Sequence, residues 1–243
     1  MGRDLHDMLV AAPAARYAQL EYQPRDQRSR VQDALLREHV RYVAKHSPFY
    51  QDWFARHDVD PAAITSAAEL PRIPCTSKDH LAENNDRFRA VAAEDIVDIC
   101  LTSATTAEQP SVLEQTAADL ARLAYNELAA FRTVGITRDD TLLVGVAIDR
   151  CFMAGLAYFL GGVALGARVV RAGAGDSALT WHLLRTTRPT VVVGVPSFLR
   201  RLAEHALSHG DDPSHAGVRK LVAIGEPIRD SSLKLLPAAR RIE

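Results

Sequence analysis

The chain has 243 residues, 47% of them hydrophobic and 24% charged, with a formal net charge of −1. That length carries one large domain, or a small module beside a domain, and the apolar content is enough to bury a core without disulfide or metal staples. A near-neutral chain lacks the basic field of a nucleic-acid or anionic-membrane binder, and no apolar run reaches bilayer length, so neither is an expected partner. The longest apolar stretch, residues 151–165, is too short to span. Arg3, Asp4, His6 and Asp7 interrupt any signal-peptide pattern, which makes the cytoplasm the expected location. Cys75, Cys100 and Cys151 are widely spaced and form no Cys-x-x-Cys pair, so they read as small buried hydrophobes.

Residues 1 to 95 read as a helical N-terminal segment. Over 27–57, apolar residues recur at Val31, Leu35, Val40, Val43 and Phe54, and Pro48 divides the stretch into two predicted helices. Leu70-Pro71-Arg72-Ile73-Pro74 reads as an extended connector. Thr76 or Ser77 then caps a predicted helix with Asp79 in its first turn.

Residues 96–243 alternate strand and helix. Strands are predicted at 96–101, 141–147, 167–170, 190–194 and 218–224. Helices are predicted at 117–134, 152–165, 176–187 with Asp176 as cap, 197–207 with Ser197 as cap, and 231–240. The fold class expected is α/β, a largely parallel sheet with flanking helices, preceded by the helical segment. The final residues, Arg241-Ile242-Glu243, fall where another strand is expected to begin. This reads as a core truncated at its C-terminus, by a fragment, a truncated gene or a missing partner half.

Open α/β sheets bind ligands beyond the carboxyl ends of their strands. The stretch Thr102-Ser103-Ala104-Thr105-Thr106-Ala107-Glu108-Gln109-Pro110 follows the first predicted strand and carries four hydroxyls, the groups that bind polyphosphate. Read on composition alone, the same stretch is a solvated Ser/Thr turn.

Four segments, in order, give the chain a resemblance. They are His39-Val40-Arg41-Tyr42-Val43 with Ser47-Pro48-Phe49-Tyr50; Leu70-Pro71 with Thr76-Ser77-Lys78-Asp79-His80-Leu81; the Ser/Thr loop with Pro110; and Gly194-Val195-Pro196-Ser197 with Gly225-Glu226-Pro227. Together they resemble the N-terminal half of phenylacetate–CoA ligases in the adenylate-forming superfamily. The resemblance implies ATP, Mg2+ and coenzyme A as cofactors and a small-molecule carboxylic acid as substrate. The acid is activated as an acyl-adenylate and passed to the thiol of coenzyme A. By position, the resemblance places Ser103, Thr105 and Thr106 on the phosphates and Gly225, Glu226 and Pro227 around the adenine. It places Phe152, Ala154 and Gly155 near the acyl group, with Gly194, Pro196 and Ser197 beside it.

The chain departs from the family pattern in three ways. Ala104 and Ala107 stand where the family has glycine, Glu108 and Gln109 occupy the stretch where it has lysine, and Ile224 replaces a frequent glycine. The family's catalytic lysine belongs to a part beyond residue 243, so no catalytic side chain is assigned. The resemblance therefore implies an enzyme whose activity needs more than this chain, with a separate C-terminal half or a second copy as partner. Two other readings remain open: an acyl-protein synthetase-like acyl transferase, and a degenerate, non-catalytic nucleotide- or acyl-binding or interaction domain.

Other motifs carry less. Gly173-Ala174-Gly175-Asp176-Ser177-Ala178 fits a dinucleotide fingerprint, but no acidic residue ends the following strand, so it reads as a turn. His205 and His209 share a helix face without a third ligand, so no metal site is assigned. Asp149-Arg150 reads as a surface ion pair. Arg200-Arg201 and Arg240-Arg241 read as solvated charge.

Overall fold

A computed structural model describes Leu9 and residues 20–101, 111–149 and 151–227. The chain divides into two compact units, one within Arg16–Ala117 and one within Met1–Ala15 and Ala118–Glu243.

In the first unit, helix α1 (Arg25–His46) is followed by α2 (Pro48–Arg56), and the break falls at Pro48 as the sequence predicts. Ser47 caps α2, accepting from the Tyr50 amide at 3.5 Å, and its hydroxyl donates to the Arg87 carbonyl at 3.1 Å. Val40, Phe54 and Ile64 form the buried core, with Leu36, Val43, Tyr50 and Ile73 around it. Phe49 stacks on Phe88 at 3.8 Å, and the Trp53 indole N–H donates to the Pro74 carbonyl at 3.1 Å. The connector expected at 70–74 is instead partly a 3-10 helix, Ala67–Arg72. The Glu69 carboxylate gathers the amide of Ser66 and the amide and hydroxyl of Thr65, which winds the backbone before Pro71. Ser77 caps α3 (Lys78–Glu83), and α4 (Asn85–Phe88) follows.

Strand β1 (Ile96–Leu101) lies in this first unit. It pairs antiparallel with β2 (Val112–Thr116), a strand the sequence pattern does not announce. It therefore does not join the parallel sheet. The Asn85 side chain serves as a further strand partner, accepting from the Val112 amide at 2.8 Å and donating to its carbonyl at 2.7 Å. Arg89 grips Glu114 through two nitrogens. Cys100 faces inward, while Val97, Ile99 and Leu101 are exposed on the opposite face, as the two-residue period of a strand requires. Residues 102–110, the predicted phosphate loop joining β1 to β2, lie outside the described residues.

The second unit holds helices α5 (Ala117–Thr133), α6 (Met153–Leu165), α7 (Ser177–Thr187) and α8 (Pro196–Ser208) around a parallel sheet. Its strands are β3 (Thr141–Gly145), β4 (Arg168–Arg171), β5 (Val191–Gly194) and β6 (Lys220–Ala223), in the order β4-β3-β5-β6. The α/β class expected from the sequence is what the structure shows. Every residue of β3 and β5 is buried, which explains their unbroken apolar runs. Alternate residues serve opposite faces. Leu142, Val144, Val191 and Val193 pack with Leu128 and Phe131 of α5, and Leu143 and Val192 pack with Trp181 and Leu184 of α7 and Leu199 and Leu202 of α8. Asp176 caps α7 by accepting from the Leu179 amide at 2.8 Å, as predicted. The predicted helix at 231–240 lies outside the described residues.

Three glycines let α6 lie close to its neighbours. A Cβ on Gly155 would come 2.0 Å from the Ala147 carbonyl oxygen, one on Gly161 2.3 Å from Glu127 Cβ, and one on Gly162 2.6 Å from Val169 Cγ2. At the amino end of the sheet Asp140, only 4% exposed, joins three chain segments. It accepts from the Thr137 amide at 2.9 Å, the Thr190 hydroxyl at 2.6 Å and Arg219 at 2.7 Å. Burial alone would raise its pKa. The Thr190 and Thr137 hydrogen bonds and the Arg219 charge outweigh burial and hold the carboxyl below its ordinary value.

Candidate functional site

The strand order determines where a ligand has access. From β3 the chain moves through α6 to β4 on one side. It then crosses back through α7 to β5 and continues through α8 to β6 on the other. The connections leaving β3 and β5 therefore diverge beyond the carboxyl ends of these two neighbouring strands, the place where open α/β sheets take ligands. Gly145 and Gly194 face each other in register at this point.

Neither glycine leaves room for a ligand atom in place of a side chain. A Cβ on Gly145 would lie 3.1 Å from Phe198 Cε1, and one on Gly194 would lie 3.2 Å from Leu199 Cδ2. Their smallness lets the first turn of α8 pack directly on the strand ends.

The site residues expected from the sequence fall into two groups beyond these strands. Phe152 is the N-cap residue of α6 and 49% exposed; Ala154 is half-buried in the first turn of that helix; Gly155 is buried against the Ala147 backbone. Before them Cys151 adopts a positive φ of 57°, an uncommon conformation for a residue with a side chain. The second group joins the ends of β5 and β6. Gly194 and Pro196 are buried, Ser197 is half-buried, and Gly225, Glu226 and Pro227 are exposed. Ser103, Thr105 and Thr106 lie outside the described residues.

Hydrogen bonds unite the second group. The Ile224 amide donates to the Gly194 carbonyl at 3.2 Å, extending the β5–β6 ladder by one bond. Gly225 then turns with φ of +72°, a left-handed value that glycine adopts without strain. The turn sends the Glu226 carboxylate to the start of α8. There Oε2 accepts from the Ser197 amide at 2.8 Å, and Oε1 accepts from the Ser197 hydroxyl at 2.7 Å. These two bonds hold the Glu226 carboxyl below its ordinary pKa, and the charge of Arg201 adds to the effect.

Ser197 is thus not the cap expected from the sequence. Val195 is the N-cap residue, with no side-chain hydrogen bond, and Pro196 takes the first helical position. Proline is favoured there because its φ suits the helix and its missing N–H would be unpaired in any case. That preference was a legible signal for the helix start. The Glu226–Ser197 contact was not, because 29 residues separate the partners.

Among the described residues no group of three His, Cys, Asp or Glu side chains is placed to hold a metal, and no helix is long and apolar enough to cross a membrane. His205 of α8 and His209, the residue that follows the helix, have ring centroids 4.2 Å apart. A cavity of about 300 Å³ opens beside α7 and α8, lined by Trp181, Leu184, Leu199, Leu202, Val218 and Leu221 among others. Its lining includes none of the expected site residues.

Comparison with known proteins fits this architecture. The family model described as AMP-binding enzyme matches residues 9–239. The chain is 30% identical over 210 residues to a phenylacetate-coenzyme A ligase of Thermus thermophilus, covering 86% of this chain and 47% of that protein. It is 29% identical over 201 residues to the phenylacetate-coenzyme A ligase of Escherichia coli, covering 80% and 45%. A crystal structure of 2-hydroxyisobutyryl-CoA ligase in complex with 2-HIB-AMP and CoA superposes with a TM-score of 0.79 at 25% identity, covering 86% of this chain and 46% of that one. The chain spans about half the length of the curated relatives it matches.

Proposed function

The chain belongs to the AMP-binding enzyme family, and from that premise we propose that it is the acid-activating portion of an acyl-CoA ligase. In this reading a carboxylate oxygen of the substrate attacks the α-phosphorus of ATP. Pyrophosphate leaves and an acyl-adenylate forms. The thiolate of coenzyme A then attacks the acyl carbon, displacing AMP and leaving a thioester. Adenylation replaces a poor leaving group with a good one, and the protein's work is positioning and charge neutralisation.

The observation that carries the proposal is the convergence of 194–197 and 225–227 at the carboxyl ends of β5 and β6, next to the divergence between β3 and β5. This is where such sheets bind nucleotides. Gly225, Glu226 and Pro227 are assigned to the adenine, and their exposure suits a flat partner. Ser103, Thr105 and Thr106 are assigned to the phosphates, with Mg2+ as counter-charge. Phe152 and Ala154 are assigned to the acyl group. Gly155, Gly194 and Pro196 set the backbone around it, and Ser197 links it to the nucleotide side. The carboxylic acid is a small aryl or acyl compound. The assignment places the reaction's remaining groups in a C-terminal half, on this polypeptide or another, or in a second copy.

A non-catalytic acyl-binding or interaction role is the second reading, favoured by Ala104, Ala107 and Glu108 in the loop. A carboxylate near polyphosphate is repulsive by roughly 4 kcal/mol at about 4 Å and an effective dielectric of about 20. Thermal-shift titration with ATP and Mg2+, followed by ATP–pyrophosphate exchange with phenylacetate and with short acyl carboxylates, separates the two. The ligase reading expects stabilisation by ATP. Exchange after addition of a matching C-terminal half supports the ligase. No shift at millimolar ATP defeats the ligase reading and favours the non-catalytic one.

A further inference from the structure

We propose that Glu226 is a positioning residue whose carboxylate acts through the start of α8 to hold the nucleotide-side segment 225–227 against 194–197, and does not itself contact the nucleotide. This rests on the assignment of 225–227 to the adenine.

The first turn of a helix leaves N–H groups without helical partners. In α8 they can be followed one by one. Pro196 has no N–H. The amides of Phe198 and Leu199 both donate to the Val195 carbonyl at 3.0 Å. The Ser197 amide has its partner outside the helix, and that partner is Glu226. Val195 has no side chain able to cap, so the carboxylate from the next strand end does the work of an N-cap residue. A negative group is also favoured at this end of a helix dipole.

Both carboxylate oxygens are engaged, one by the amide and one by the hydroxyl of the same residue. With its oxygens directed to α8, Glu226 presents its backbone, not its carboxylate, to a ligand over 225–227. The turn is short and its anchors are close: the Ile224 amide is bonded to Gly194, and a Cβ on Gly225 would lie 3.5 Å from Val195 Cγ1. The segment therefore closes a ring from β5 through α8 to Glu226 and back along β6. Cutting the Glu226 link frees the far end of that ring while the sheet beneath stays paired.

The test compares the wild-type chain with Glu226→Ala, Glu226→Gln and Ser197→Ala. Amide exchange reads the clasp without any ligand. In Glu226→Ala, exchange at Ser197 is expected to rise by about ten-fold, with core amides unchanged. Unchanged exchange at Ser197 overturns the proposal. Binding of ATP and of inorganic tripolyphosphate, each with Mg2+, then reads positioning. Wild type is expected to prefer ATP, and Glu226→Ala to lower that preference by roughly five- to ten-fold while tripolyphosphate affinity holds. Glu226→Gln keeps one carbonyl acceptor for Ser197 and should recover part of the preference. Ser197→Ala keeps the amide bond and should give a smaller loss. Equal weakening of ATP and tripolyphosphate means a structural role only and overturns the proposal. A wild type that does not distinguish the two probes overturns the adenine assignment and the positioning role with it, whereas the exchange result still decides whether the clasp exists.

Discussion

Replacing Asp140 by alanine should be among the costlier polar substitutions in the second unit. The carboxylate is buried at the amino end of the sheet, where it ties Thr137, Thr190 and Arg219 together. Thr190 in turn accepts from the Thr141 amide at 3.1 Å, so the network reaches the first residue of β3. Hydrogen bonds to a charged acceptor contribute roughly 1.5–3 kcal/mol each, but the terms do not add, because stranded donors partly recover water. The Arg219 side chain is 67% exposed and regains solvent readily. The buried side of the network carries most of the loss, so Asp140→Ala should destabilise by about 3 kcal/mol. In a chain of this size that lowers the melting temperature by roughly 6–12 °C. Arg219→Ala should cost less than Asp140→Ala, because the buried carboxylate keeps its Thr137 and Thr190 donors.

The same network sets a pH dependence. Asp140 has its pKa lowered in the folded state. Its stabilisation is therefore fully present above the unfolded value, about 3.9. It is lost as pH falls through the folded one. Thermal melts followed by circular dichroism should show the wild-type advantage over Asp140→Ala constant near neutrality and shrinking below about pH 4. A melting difference under about 2 °C at pH 7, or one unchanged down to pH 3, would refute the argument.

Gly155→Ala drives a Cβ into the Ala147 carbonyl, which is backbone and cannot swing away. It should cost about 3 kcal/mol or more and lower both melting temperature and soluble yield. Glu127, half-buried beside Gly161, has its carboxyl pKa raised by burial. Its contribution is fully present below the unfolded value and is lost as pH rises through the folded one. Glu127→Gln should therefore raise the melting temperature at pH 7 by roughly 1–3 °C and leave it unchanged near pH 4. Thiol titration of the native chain should label Cys75 and Cys151 quickly and Cys100 only on unfolding, because the first two are exposed and the third is buried. Rapid labelling of all three would contradict the inward face of β1. This pattern also corrects the expectation that all three cysteines are buried.

Much of the second unit was legible in the sequence, because its local and global preferences agree. The apolar runs of β3 and β5 announce strands covered on both faces, Asp176 marks the start of α7, and Gly166, with φ of +79°, ends α6. Each is a statement about a few consecutive residues. The β1–β2 hairpin was less legible: Val112–Thr116 is short, and Glu114 and Gln115 in its centre mask the pattern. Asn85 and Arg89, which hold that strand, lie more than 20 residues away in the chain.

The sequence by itself determined the class of fold, through hydrophobic period and turn chemistry, and it determined the family, through the order of four short segments that belong together. Tertiary structure decided which strands share a sheet, that β1 pairs antiparallel outside it, and where the connections leaving β3 and β5 diverge. It also decided what individual residues beyond the strand ends do. Gly155 and Gly194 are small because backbone and Leu199 press on them, and Glu226 is acidic at a point where a distant helix needs a cap. The physical reason is range. Backbone propensity and side-chain period act over a few residues and are written along the chain, whereas close packing and carboxylate pairing act across space and exist only once the chain has folded.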